Sequence, residues 1–258
     1  QAVVEPVDNL VLTAGLRHDE HSLFGGHTTW RGTASYLFDQ TGTRLHSSFG
    51  TGFRAPSLYE LYDPTYGNST LKPETSRSFD IGVEQRFLDD RLTAGLTYFH
   101  IEVDNRIVSH PLTWQYVQEG ERVRSQGLEA SFAYAATSWL DIAGSYTYTD
   151  SRTASGIRSA RVPKHSAVLS ASVRPAEKWL VSADLKYVSG NVDHIFGTPP
   201  TVVGLKDYVL LNAKIAYQVT DSTEIYLRGE NLLDQDYQTI RNYGTPGIAA
   251  YAGIKATF

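Results

Sequence analysis

The chain has 258 residues, a formal net charge of −5 and mixed charges on 20% of its positions, a balance that does not point to a nucleic-acid partner. It contains no Cys, which excludes disulfides, thiolate zinc sites and thiol nucleophiles together. No run approaches the roughly 18 apolar residues that a transmembrane helix needs. The mean hydropathy of −0.29 looks soluble, but a barrel that shows lipid only one side of each strand has a similar average. No Met start and no secretory leader open the chain, so we expect it to be processed or a piece of something longer.

Period-2 alternation places about twelve strands, at roughly 8–18, 28–38, 43–53, 75–87, 91–108, 116–136, 138–150, 163–175, 178–190, 206–219, 222–232 and 248–258. No useful helix-period segment interrupts them. The connections alternate in kind. Short ones lie at 39–42, 88–90, 136–138, 175–177 and 220–221; long ones lie at 19–27, 54–74, 109–115, 151–162, 191–205 and 233–247. A soluble sandwich or barrel has no reason to keep that asymmetry, whereas an up-and-down antiparallel barrel in an outer membrane has short periplasmic turns and long outer loops. The expected class is therefore all-β, a transmembrane β-barrel. The C-terminus falls at the periplasmic end, and 54–74, 191–205 and 233–247 become extracellular.

The 16 Tyr, 10 Phe and 4 Trp suit such a barrel, which carries aromatic girdles at both interfaces. Phe38, Phe87, Tyr134, Trp179, Tyr217 and Phe258 fall near short turns; Tyr98, Tyr146, Tyr187 and Tyr208 fall nearer the long loops. Faces follow from alternation. In 75–87, Phe79, Ile81 and Val83 face lipid while Asp80, Glu84 and Arg86 face the lumen. In 206–219, Val209, Leu211, Ala213, Ile215 and Tyr217 face lipid and Asn212 and Lys214 point inward. In 222–231, Ile225 and Leu227 oppose Glu224, Tyr226, Arg228 and Glu230. In the last strand Ile248, Ala250, Ala252, Ile254, Ala256 and Phe258 form one apolar set. His100 and Glu102 break the pattern and are expected above the membrane, on strands extended outward.

Four ordered segments carry a family resemblance: FRAPSLYELY at 53–62, YGNSTLKPETSRSFDIGVEQ at 66–85, RSQGLEASFAY at 124–134 and RGENLLDQDYQTIRNYGTPG at 228–247. Together they resemble the barrel of TonB-dependent outer-membrane receptors, across essentially the whole chain. Pro56 and Pro73 are placed to stop strand pairing on either side of the first loop. The short final loop and the R-x-P-K-H run at 161–165 look most like cobalamin receptors. The resemblance implies a barrel of about twenty-two strands with a plug folded inside, of which residues 1–258 are the C-terminal part; neither plug nor TonB box is visible. Closing about twelve strands alone gives a backbone diameter of roughly 24 Å, against roughly 44 Å for twenty-two, and only the larger bore admits a plug. The implied function is TonB-dependent uptake of a large scarce solute, cobalamin-like or a ferric-siderophore chelate, across a Gram-negative outer membrane. The implied partners are that ligand, the TonB complex through the plug, the rest of the barrel and outer-membrane lipid. A passive diffusion pore, or a phage or adhesin docking surface, are the alternatives.

Catalysis is poorly supported: no G-x-S-x-G and no H-E-x-x-H occurs, and the eight His are scattered. No cofactor and no metal site is expected. His18, His21 and His27 around one loop are read as solvated side chains. Haem-uptake relatives place a His between the first two motifs, and 57–70 has none. The candidate ligand surface is the outer mouth: Tyr59, Tyr62 and Tyr66, then Trp114 and Tyr116, Arg161 and His165, His194 and Phe196, and Tyr243. Aromatics with Arg offer rigid contact area and cationic hydrogen bonding to a bulky amphipathic chelate.

Overall fold

The computed structural model describes residues 1–110, 112–195 and 201–257. Thirteen strands form one antiparallel sheet: β1 (Ala2–Val7), β2 (Leu10–His21), β3 (Gly25–Phe38), β4 (Thr43–Arg54), β5 (Glu74–Phe87), β6 (Leu92–Asp104), β9 (Val123–Thr137), β10 (Leu140–Thr153), β11 (His165–Val173), β12 (Trp179–Ser189), β15 (Tyr208–Thr220), β16 (Thr223–Glu230) and β17 (Ala249–Ala256). Neighbours in the sheet follow chain order, which is an up-and-down meander. Two small hairpins, β7 (Ile107–Ser109) with β8 (Tyr116–Gln118) and β13 (Val192–Ile195) with β14 (Thr201–Gly204), stand outside it, as does one short helix, α1 (Leu58–Tyr62). β1 and β17 lie at opposite ends of the strand order, so the sheet is not closed on itself among the described residues.

All twelve expected strands are present, and the structure adds β1. Pro6 interrupts its alternation and lies where the β1–β2 ladder shifts register, between Val4 and Val7. The turn that follows uses Asn9 at φ 66°, a left-handed position that Asn tolerates. A family barrel of about twenty-two strands would therefore lack about nine rather than about ten.

Register separates two chemistries. Rungs such as Leu45–Val83–Leu96–Ala130 and Leu169–Leu185–Leu211 run unbroken along one face. Leu16, Ile81, Leu96, Leu128, Leu169, Leu227 and Ile254 on that face are exposed, as lipid-facing residues are in a protein viewed without its bilayer. The opposite face is held by polar pairs. Ser48 donates to Asp80, Arg44 pairs with Glu84 at 2.9 Å, Asn212 donates to Asp184 at 2.8 Å, and Lys214 pairs with Glu224 at 2.9 Å. A one-residue slip of any strand would move these groups into lipid.

Trp179 and Tyr217 meet at 4.8 Å between ring centroids near the short-turn rim, as expected of a girdle. Tyr208 departs from the expectation. Its register partner is Val188, which puts it on the polar face, where it is buried against Tyr237 at 4.5 Å. Phe258 lies outside the described residues. The 19–27 loop also differs, because β2 and β3 stay paired up to His21 and Gly25 and leave only a tight turn. Three of the other long connections contain structure of their own: α1 in 54–74, the β7–β8 hairpin around 109–115 and β13–β14 in 191–205. His100 and Glu102 lie on strands that extend outward, as expected: β5, β6 and β9 remain paired beyond the apolar belt, and Glu102 is bonded to Arg122 and Arg124.

Candidate functional site

The first motif forms a helix because its own side chains cap it. Ser57 Oγ accepts from the Glu60 amide at 3.2 Å, and Glu60 returns the bond to the Ser57 amide at 2.7 Å, a complete capping box. Asp63 stops the helix and accepts from the Thr65 and Tyr66 amides. Gly67 then passes so close to the Asp63 backbone that an added Cβ would sit 2.6 Å from it, so no other residue fits.

Arg54, the last residue of β4, ties the motifs together. Its cross-strand partner is Glu74, the first residue of β5. Arg54 donates to Glu74 at 2.6 Å and to Glu60 at 3.0 Å, and Glu74 also accepts from the Ile107 amide at 2.6 Å. The Arg of the first motif and the Glu of the second are thus one ion pair. Burial of Glu60 and Glu74 pushes their pKa values upward, but hydrogen bonds from Arg54 and from the Ser57 and Ile107 amides outweigh it and hold both below the usual carboxylate range. The Arg54 guanidinium is correspondingly raised by those two carboxylates.

On this latch the loop builds a small core of Leu61, Leu71 and Ile107, with Phe24 and Tyr116 against it. The β7–β8 hairpin is sewn to the 55–73 loop by side chain–backbone bonds. Asn68 donates to the Tyr116 carbonyl at 2.9 Å, and Gln118 exchanges bonds with Lys72 at 2.8 and 3.1 Å. Tyr66, Trp114 and Tyr116, with Ser109, consequently line one pocket of about 350 Å³. Tyr59 meets Tyr116 edge-on at 6.0 Å, and Tyr62 is exposed on the same helix. Four of the expected contact residues, Tyr59, Tyr66, Trp114 and Tyr116, are therefore assembled on one surface. The Arg residues closest in chain to this surface are committed: Arg54 to its two carboxylates and Arg106 to Glu119 at 2.7 Å.

A second group forms from the later loops around Asp193, which is 3% exposed. Asp193 accepts from Arg161 at 3.2 Å, from the His194 amide at 2.9 Å and from the Arg241 amide at 2.9 Å. Burial resists its ionisation, yet the Arg241 and His194 amides and the Arg161 charge hold its pKa below the ordinary range. Arg161 occupies a left-handed backbone position at φ 63°, and His194 bonds the Arg158 carbonyl at 2.8 Å. Asp193 thereby joins Arg161 and His194 to the final loop, on which Tyr243 stands exposed. Nothing in the sequence marks Asp193. An acidic residue in a long loop has no periodic neighbours to mark it, and the Arg241 amide that it binds is distant in the chain.

The remaining candidates fall elsewhere. His165 pairs in register with Tyr148 and shares the apolar face with Leu169; Tyr146 Oη bonds its Nδ1 at 2.7 Å. It belongs to the girdle on the outer wall, away from both loop groups. Phe196 lies outside the described residues. His18, His21 and His27 make separate contacts, with Thr28 and Glu20, with the Leu23 amide, and with Phe24 and Phe53 respectively.

Residues 1–232 match the family described as TonB dependent receptor-like, beta-barrel. Over 251 residues the chain is 30% identical to the vitamin B12 transporter BtuB of Vibrio cholerae serotype O1, covering 96% of this chain and 40% of that protein. The chain thus spans about two fifths of the length of the curated relatives it matches. Among solved structures it superposes on the siderophore receptor PirA of Acinetobacter baumannii with a TM-score of 0.81 at 19% identity, over 99% of this chain and 44% of that one. It also superposes on the ferripyoverdine receptor of the Pseudomonas aeruginosa outer membrane with a TM-score of 0.77 at 20% identity, over 98% and 37% respectively.

Proposed function

We propose that this chain, which belongs to the TonB-dependent receptor β-barrel family, supplies the C-terminal part of an outer-membrane active-transport receptor and the capture surface for a large scarce chelate. It is an outer-membrane β-sheet with its short turns on the periplasmic side. A plug and the remaining strands, outside this chain, would complete the barrel, and the TonB complex would act on that plug.

The observation that carries this reading is the aromatic pocket of Tyr66, Trp114 and Tyr116 at the outer end of the sheet, held by the Arg54 latch. Its chemistry favours a cobalamin-like ligand over a ferric siderophore. A ferric catecholate carries several negative charges and calls for several unpaired cations, whereas Arg54 and Arg106, on the segments that carry this surface, are bound to carboxylates, which leaves Lys72 as the cation of the loop without an ion pair among the described residues. Rigid rings instead suit the broad face of a corrinoid. Arg161, His194 and Tyr243 would close over the ligand from the second loop group.

The test is growth of a strain deleted for the full-length receptor on limiting cobalamin and, separately, on limiting iron. Loss of growth on cobalamin is expected. A Tyr66→Ala/Trp114→Ala receptor should need at least about tenfold more cobalamin, as the loss of central aromatic anchors does. Normal uptake by the deletion strain would sink the proposal. A steady open conductance of the complete receptor in single-channel recordings would replace it with a passive pore.

A further inference from the structure

Above the lipid-facing belt, the same face of the sheet carries a row of charge. β5, β6, β9 and β10 stay in register there, so Arg77, Glu102, Arg124 and Arg152 stand side by side as direct cross-strand partners. Lower on the same face are Ile81, Tyr98, Leu128 and Tyr148, one of the belt's upper rungs. Arg122 reaches the row from the segment before β9, bonding Asp104 at 2.8 Å and Glu102 at 2.9 Å. Arg122, Arg124 and Arg152, with Gln126 and Asp150, line a pocket of about 300 Å³.

This row is short of negative charge. Arg124 and Arg152 are directly opposed, and like charges in that relation repel. Glu102 is shared between Arg122 and Arg124, at 2.9 and 3.3 Å, and Asp150 is taken by Arg152 at 2.7 Å. Asp104 is taken by Arg122. Arg77 has no ion pair among the described residues. Three acids therefore pair with these guanidinium groups, while a fourth, Glu121, is taken by the Ser155 amide at 2.8 Å and forms no ion pair among the described residues; the pocket opens between three of the four guanidinium groups. An anion with several acceptor oxygens would relieve the Arg124–Arg152 repulsion, and guanidinium forks match phosphate in shape.

Position selects the source of that anion. Tyr146, Tyr148 and His165 cluster at the top of the belt, with Lys164 Nζ 5.6 Å from the Tyr148 ring. Rings and a cation of this kind mark the level where acyl chains meet headgroups. Arg152 is four residues beyond Tyr148, which at about 3.3 Å per residue and a tilt of about 40° is roughly 10 Å higher. That is headgroup depth, on the wall and not in the lumen. We propose that Arg122, Arg124 and Arg152 form a site on the outer wall of the barrel for a phosphate on an outer-leaflet lipid headgroup. The inference rests on the membrane orientation given under the proposed function, and is independent of which solute is transported.

The experiment is native mass spectrometry of the full-length receptor in detergent with three probes: bisphosphorylated lipid A, fully dephosphorylated lipid A and inorganic phosphate. A heat-modifiable gel shift reports barrel assembly separately, so a failure of the membrane reading is visible by itself. The bisphosphorylated lipid should bind about tenfold more weakly to R124Q/R152Q than to wild type. The dephosphorylated lipid should not distinguish the two proteins. Equal binding of the bisphosphorylated lipid to the variant, or of both lipids to wild type, overturns the proposal. Inorganic phosphate bound as tightly as the lipid reassigns the site to a soluble anion and overturns it too. Should R124Q/R152Q not assemble, Arg122→Gln, outside the strands, carries the comparison. An expected loss of about threefold supports the proposal and unchanged binding refutes it.

Discussion

Replacing Arg54 with Leu tests the latch that holds the capture loop. Glu60 and Glu74 would keep their carboxylates, 13% and 15% exposed, with no cation between them. Removing one partner from a fully buried pair costs about 3–5 kcal/mol. Arg54 is 47% exposed, so water takes over part of its role, and we expect about 2 kcal/mol. That cost falls on the loop and not on the barrel, because the strand ladders on either side remain intact. A local penalty of about 2 kcal/mol raises the open population of the loop roughly 30-fold. Hydrogen–deuterium exchange of the complete receptor would read it at the Glu60, Leu61 and Ile107 amides, which lie on the latch and its helix. The control is Arg174→Leu, which removes an exposed pair with Asp141, 55% and 49% accessible, and should change exchange by less than about 0.5 kcal/mol. If both variants leave the loop amides equally protected, the latch is an incidental surface pair and the reasoning fails.

Glu60 and Glu74 have depressed pKa values in the folded loop, so their stabilisation is present above the ordinary carboxylate range and lost as pH falls through the folded values; proteolytic nicking of 55–73 should therefore increase below about pH 4, and a flat profile would contradict the assignment. Asp193→Asn should weaken three charge-assisted bonds and loosen the final loop by about 2 kcal/mol, seen as faster exchange of the Arg241 and His194 amides; unchanged protection there would remove Asp193 from its organising role. Leu169→Arg faces lipid and should cost about 2–4 kcal/mol in urea unfolding from liposomes, while Ser170→Arg on the neighbouring inward position should cost less than about 1 kcal/mol; equal costs would refute the register.

Local chemistry made most of the fold legible. Alternation between apolar and polar residues is a property of each strand taken alone, so the faces of β5, β15, β16 and β17 could be assigned before any pairing was known. Turn length is equally local, and it set the short connections at one end of the sheet and the long ones at the other. Three aromatic candidates, Tyr59, Tyr62 and Tyr66, fall together in the sequence because FRAPSLYELY and the residues after it form one compact loop, whose helix is capped by its own Ser57 and Glu60; Trp114 and Tyr116 join them only through the β7–β8 hairpin.

The sequence by itself determined a membrane-spanning meander, its two faces and its family. Only the tertiary structure decided where those faces end and which loops meet. Tyr208 stands near a long loop like a girdle residue, yet it shares the inward face of Asn212 and Lys214 and is buried against Tyr237. His165 reads as a mouth residue at the start of its strand beside Arg161, yet pairing with Tyr148 sends it to the wall. Asp193 gains its role from Arg161 and Arg241, and Arg124 meets Arg152 because β9 lies beside β10. Each is a contact between chain segments whose separation is closed by the register of the whole sheet, and a one-dimensional pattern of period two carries no record of that register.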